Sequence, residues 1–172
     1  LDEVEHARLA YALASRFAGR PIGPGPLRTT DLPRNRPLAQ FVTALVHEGC
    51  IGETLGAAEA DLLADHADPT LAPRLRQVAA DETRHAALAW RTLQWLLTHH
   101  GEPVARAAQA ALETSAAELA TDHNLPITPT APAWGLLPHT TVMAHRRLTL
   151  ATVVRPLLTT LLAPTNHHPL VS

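Results

Sequence analysis

The chain has 172 residues, a formal charge of −2 and 17% charged residues. That length supports one domain with a real core, and the charge offers no basic face for nucleic acid. One cysteine, Cys50, excludes an internal disulfide framework and a cysteine-rich zinc site, whereas eleven histidines make imidazole ligation worth testing against their spacing. Apolar residues make up 46% of the chain but aromatics only 3%. Alanine and leucine therefore supply most of the apolar surface, which favours helices over strands because both lose little freedom in a helix.

In chain order, residues 1–17 read as a helix stopped at Gly19, followed by an irregular connection through Pro21, Gly23, Pro24, Gly25 and Pro26. A long helix is expected over 38–66, after Pro33 and Pro37, and Asp68-Pro69 makes a short turn. The next helix covers 71–100 and ends at Gly101, a residue suited to a left-handed cap. Leu75, Val78, Ala86, Ala89, Leu93 and Leu96 form its apolar stripe, and Arg74, Gln77, Arg84, Arg91 and Gln94 fall mostly away from it. Glu82 and His85 sit within that stripe, which is anomalous for polar side chains. Pro103 opens a further helix to 120, Pro126, Pro129 and Pro132 mark a loop, and a last helix over 139–162 should kink at Pro156. Residues 1–163 thus form one helical domain, with 164–172 a frayed tail that carries His167 and His168. No stretch is apolar enough to span a membrane, since the best candidate, 140–163, carries His145, Arg146, Arg147 and Arg155. The opening residues already read as mid-helix, so an upstream segment is expected; the compartment stays open, with the cytoplasm favoured.

One internal match carries chemistry. Asp2-Glu3-Val4-Glu5-His6, with Tyr11 five positions on, aligns with Asp81-Glu82-Thr83-Arg84-His85, with Trp90 at the same offset. Residues i and i+3 share a helix face, so each Glu and His can reach one point in space. A glutamate offers oxygens that can bridge two ions, and a neutral imidazole gives one nitrogen to one ion. Two such helices facing each other match the inner part of a dinuclear carboxylate site in a helical bundle.

Chain geometry selects a third carboxylate. Glu82 lies 14 residues after Asp68, so an antiparallel hairpin of equal rise places position 54 level with it. Glu3 lies 16 residues before Gly19, and 16 residues beyond Leu38 is again position 54. Glu53 is therefore at the height of both motifs, while Glu48 is earlier and points to another face. Glu48 is kept as a further candidate, more simply solvated. Gly49, Cys50, Gly52, Gly56 and Ala57 around Glu53 could permit close helix approach or leave room for dioxygen or a substrate. Asp2 and Asp81 are expected to receive the outer ring N–H groups of the ligating histidines, Asp2 serving His85 and Asp81 serving His6.

The run His47-Glu48-Gly49-Cys50-Ile51-Gly52-Glu53-Thr54, taken with Asp81 to Arg91, resembles bacterial ferritin-like domain proteins over roughly residues 1–95. The resemblance implies a ferritin-like four-helix bundle with three core helices present and two additional C-terminal helices. It implies bridging roles for Glu3 and Glu82, terminal ligation by His6 and His85, and Glu53 as a third carboxylate. A fourth carboxylate would come from a helix before Leu1. The expected cofactor is two iron ions, with manganese as the alternative. The expected activity is oxidation of a small molecule with O2 or peroxide, and oligomerisation is open. Ferroxidase activity in iron handling and a non-catalytic helical interaction module are the alternatives. The remaining residues take simpler readings: Cys50 as a small buried apolar residue, Tyr11 and Trp90 as core packing, His47, His99 and His100 as surface residues.

Overall fold

The computed structural model describes residues 2–26, 35–121, 134 and 136–163, all helical or connecting, with no strand among them. The helices are α1 (Asp2–Ala18), α2 (Leu38–Ala44), α3 (Glu53–His66), α4 (Ala72–His100), α5 (Glu102–Ala120), α6 (His139–Thr149) and α7 (Arg155–Leu162). π-helical turns at Leu45–Gly52 join α2 to α3, and others at Leu150–Val154 join α6 to α7, so each pair forms one continuous rod. The expected loop around Pro126, Pro129 and Pro132, the tail 164–172, Leu1 and Pro33 lie outside the described residues.

Local chemistry explains the boundaries. At the α3–α4 turn, Asp68 Oδ1 accepts the backbone N–H groups of Thr70 (2.7 Å) and Leu71 (3.1 Å), leaving fewer orphan donors where α4 begins. Gly101 stops α4 at φ 57°, where a side chain would be strained, and its N–H closes on Leu97 O at 2.9 Å. Pro156 falls in the first turn of α7, directly after the π turns. A residue without N–H breaks the α ladder there, so the irregularity expected at Pro156 is met by wide turns just before it.

The core lies among the α2–α3 rod, α4, α5 and the α6–α7 rod. Val42, Val46, Cys50, Leu93, Val104, Leu112, Val154 and Leu158 are among its fully or almost fully buried members. Burying each such leucine or valine stabilises the fold by about 1.5–3 kcal/mol. Arg146 pairs with Glu59, His145 Nε2 lies 3.1 Å from Ala58 O, and Arg147 Nε donates to Leu119 O at 2.7 Å, so α6 is tied to α3 and α5.

This distribution corrects one expectation. The first helix was expected among the core helices, yet α1 has no buried residue. The two C-terminal helices, expected as additions, supply two of the four rods around the core instead. Alanine-rich faces look alike in sequence, and the long leucine and valine side chains of α5 and α7 decide which of them collapse together.

Candidate metal centre

Three elements converge beside α4. Helix α1 brings Asp2, Glu3 and His6, helix α3 brings Glu53 at its first residue, and α4 brings Asp81, Glu82 and His85. The π turns end on Glu53, whose N–H bonds to Glu48 O five residues back. Extra residues per turn re-phase a helix face, and such bulges recur at functional positions.

Glu82 reaches both imidazoles with different oxygens. Its Oε1 lies 3.1 Å from His6 Nδ1 and its Oε2 lies 3.1 Å from His85 Nδ1. Glu3 mirrors this, with Oε2 at 3.8 Å from His6 Nδ1 and Oε1 at 3.1 Å from His85 Nδ1. Glu53 Oε2 is 4.0 Å from His85 Nδ1. Two groups of ligand atoms result, Glu3–His6–Glu82 and Glu53–Glu82–His85, each lying within 4.8 Å of one another. The two rings stand 6.4 Å apart, tilted by 46°.

The outer nitrogens are held crosswise. His6 Nε2 lies 3.1 Å from Asp81 Oδ2, and His85 Nε2 lies 3.3 Å from Asp2 Oδ2. An N–H donated outward leaves Nδ1 as the nitrogen facing the carboxylates. Two residues that the sequence places only on the polar face of α4 complete the frame. Gln77 Nε2 donates to Asp81 Oδ1 at 2.8 Å, and Arg84 bonds the same oxygen while lying 3.7 Å from Asp2 Oδ2. Their offsets from Asp81, −4 and +3, put all three on one helix face, a signal overlooked because both looked like solvated polar residues.

His6 Nδ1 supplies the test of fit. It is buried and has no hydrogen-bond partner, although Glu82 Oε1 is 3.1 Å away. With Nε2 donating to Asp81, that nitrogen presents a lone pair to a carboxylate oxygen, an arrangement relieved by a proton on Nδ1 or by a cation that both atoms ligate. Three carboxylates and two imidazoles are a donor set of hard oxygens and borderline nitrogens, suited to iron or manganese.

Electrostatics follow the same logic. Burial, a hydrogen bond shared with Glu82 and the charges of Glu82 and Glu3 push Glu53 up to about 7. Burial also works to raise Glu82, but hydrogen bonds from Glu53 and His85 outweigh it and hold Glu82 below the ordinary value. Burial opposes the charge on His85, yet hydrogen bonds to Glu82 and Asp2 raise it overall. The His6 hydrogen bond, with Gln77 and Arg84, keeps Asp81 low against its burial. Without metal, a proton shared by Glu53 and Glu82 relieves part of the repulsion.

A stability prediction follows for metal-free protein. Glu53 and His85 hold protons more tightly folded than unfolded, so their contributions are complete at acid pH and fade as pH rises through their folded values. For Glu53 the window runs from its ordinary 4.5 to about 7. Asp81 and Glu82 act oppositely and are lost only below the ordinary carboxylate range. Thermal melts in chelator should show Tm falling from pH 5 to pH 7.5; a rise across that interval would contradict the arrangement.

Not every expected residue is buried or engaged. Glu3 has a side-chain exposure of 69%, against 33% for Glu53 and 14% for Glu82, so of the three expected carboxylate ligands Glu3 faces solvent. No described element packs over that side of α1. Glu48 is exposed and lines a different groove with Ala39, Thr43 and His47. His47 Nε2 lies 3.1 Å from Glu118 Oε2, and His99 and His100 are exposed. Cys50 is fully buried, and burial pushes its thiol up to about 12, so it is no nucleophile. Tyr11 and Trp90 are half-buried, and Trp90 Nε1 donates to Thr54 Oγ1 at 3.1 Å.

Asp81→Ala leaves His6 Nε2, Gln77 and Arg84 without their acceptor. Supporting residues of this kind are worth about 10–100-fold in metal affinity. Calorimetric titration with Mn(II) should show a loss in that range, and unchanged affinity would remove Asp81 from the frame. Comparison of the chain with protein-family models, with curated proteins and with solved structures finds no match.

Proposed function

We propose that the chain is a ferritin-like dinuclear iron protein, with manganese as the alternative metal, that oxidises a small molecule with O2 or peroxide. One observation carries the reading: the two Nδ1 atoms of His6 and His85 each lie 3.1 Å from a different oxygen of Glu82. Glu3 and Glu82 would bridge the two ions, His6 and His85 would each ligate one, and Glu53 would complete the His85 side. Bound iron would supply redox chemistry toward O2 or peroxide.

The chain's own residues set the conditions for that chemistry. Asp2 and Asp81 fix the two imidazoles through their outer nitrogens. In the metal-free cluster burial and the neighbouring carboxylates raise Glu53 to about 7, so at neutral pH it holds a proton that metal binding would displace. The exposure of Glu3 leaves one side of the cluster open to an incoming molecule. A groove of about 530 Å³ between α3, α4 and the α6–α7 rod, walled by Thr54, Ala57, Ala86 and Trp90, contains none of the proposed ligands and lies on another face of α4, so it is not assigned to the substrate.

Metal analysis after anaerobic reconstitution with ferrous iron tests the reading. Two ions per chain are expected, followed by O2 consumption coupled to an organic product. Iron turnover without any organic product would favour ferroxidase activity. Absence of iron after reconstitution would favour a non-catalytic helical module.

A further inference from the structure

Helix α1 is an anomaly of energetics. Its 17 residues include none that is buried, and Val4 and Phe17 are 51% and 52% exposed. Most helical stability in proteins comes from tertiary packing of an apolar face, so a docked α1 needs support from other contacts. Every described hydrogen bond or ion pair from α1 to another helix passes through Asp2, Glu3 or His6, and all reach partners on α4: Asp81, Glu82, Arg84 and His85. At its other end Arg16 lies 4.8 Å over the Trp134 ring and Phe17 meets the same ring edge-on. Leu13 and Ala14 are half-buried in an apolar pocket shared with the half-buried Trp134, so this end of α1 is partly covered without any residue being fully buried.

The polar contacts do not by themselves hold α1 firmly. Asp2, Glu3, Glu53, Asp81 and Glu82 gather five carboxylates around two imidazoles and one guanidinium. Bringing Asp2 and Glu3 up to the acidic cluster on α3 and α4 is opposed by like charge, and His6 Nδ1 gains no hydrogen bond on arrival. Divalent ions reverse the sign, because Glu3 and His6 then supply ligand atoms to ions shared with Glu82.

We infer that metal binding is the clasp that docks α1 onto the α3–α4 hairpin, so that the first helix forms and releases together with the ion beside His6. The inference rests on the dinuclear reading above but goes beyond it, since a metal centre could equally sit in a bundle whose helices are all held by their core. Linkage sets the size of the effect. Glu53, Glu82 and His85 lie outside α1 and can keep an ion of their own, so the linked ion is the one held with Glu3 and His6; for it the docking constant grows in proportion to 1 + [metal]/Kd, about tenfold for each tenfold rise in free metal above Kd.

Hydrogen exchange followed by mass spectrometry on the 172-residue chain, with Mn(II) as a redox-silent probe and calorimetry alongside, tests this. Protection of α1 amides should rise about tenfold per tenfold Mn(II) above Kd, with α5 amides unchanged. His6→Ala should leave α1 unprotected at any Mn(II) concentration. Glu53→Gln, altered on α3 alone, should regain α1 protection at higher Mn(II). Mn(II) binding with α1 protection unaltered, or wild-type protection in His6→Ala, would overturn the clasp and leave the metal centre standing. No Mn(II) binding at all would overturn both.

Discussion

Replacing Glu82 and His85 together by alanine should abolish binding of both metal ions while the far-UV helical signal stays nearly unchanged. Glu82 is the only described side chain whose two oxygens both stand at 3.1 Å from an imidazole nitrogen, so its loss strips a ligand from each half of the centre. Removing His85 then leaves the second half with carboxylates alone. The expected loss of affinity exceeds the roughly 100-fold upper end for supporting residues, because these groups would contact the ions themselves. The fold should tolerate the change, since neither residue belongs to the buried apolar cluster. Elemental analysis and circular dichroism on one preparation are sufficient. Normal metal content in the double variant would remove the assignment, and collapse of the helical signal would show the pair to be structural.

Gly49→Val should destabilise the protein substantially. A Cβ at Gly49 would stand 2.9 Å from Ala89 Cβ, closer than two such atoms approach, and both belong to helices crossing at the core. Neither atom can rotate away, so the backbones must separate. Overpacking of this kind costs about 1–3 kcal/mol. Replacing glycine within a helix returns only about 0.5–1 kcal/mol relative to alanine, and less for a β-branched residue. The steric cost therefore wins for valine and nearly balances for Gly49→Ala. Adding Ala89→Gly should relieve part of the valine penalty. Denaturant unfolding of the single and double variants measures both effects, and a Gly49→Val protein as stable as the parent would refute the close crossing.

What was legible in the sequence was mostly what depends on local chemistry. Gly101, Asp68 and the proline clusters mark helix ends by backbone rules that hold regardless of packing, and the helices follow within a residue or two. The height of Glu53 was also legible, because an antiparallel hairpin of fixed rise makes level positions a matter of counting. The crosswise pairing of Asp2 with His85 and Asp81 with His6 was expected from the repeat together with a near two-fold arrangement and an outward-donating imidazole. The π turns before Glu53 were not legible, since their N–H to i−5 bonds have no sequence periodicity of their own. They sit where Gly49 lets the rod press against Ala89. The share of each helix in the core was hidden for a different reason. In so alanine-rich a chain, the faces of α1 and α5 differ little in composition, and only long-range packing separates them. Arg84 and Gln77 were read as polar surface, although they carry Asp81 from both sides.

The account depends on cations lying between His6 and His85. Anomalous scattering at the iron edge, from crystals grown after anaerobic ferrous reconstitution, locates such ions directly. Two peaks are predicted, one beside His6 Nδ1 and one beside His85 Nδ1, with the Glu82 carboxylate between them. A map with no peak between the two rings, in protein that has taken up iron elsewhere, would contradict it.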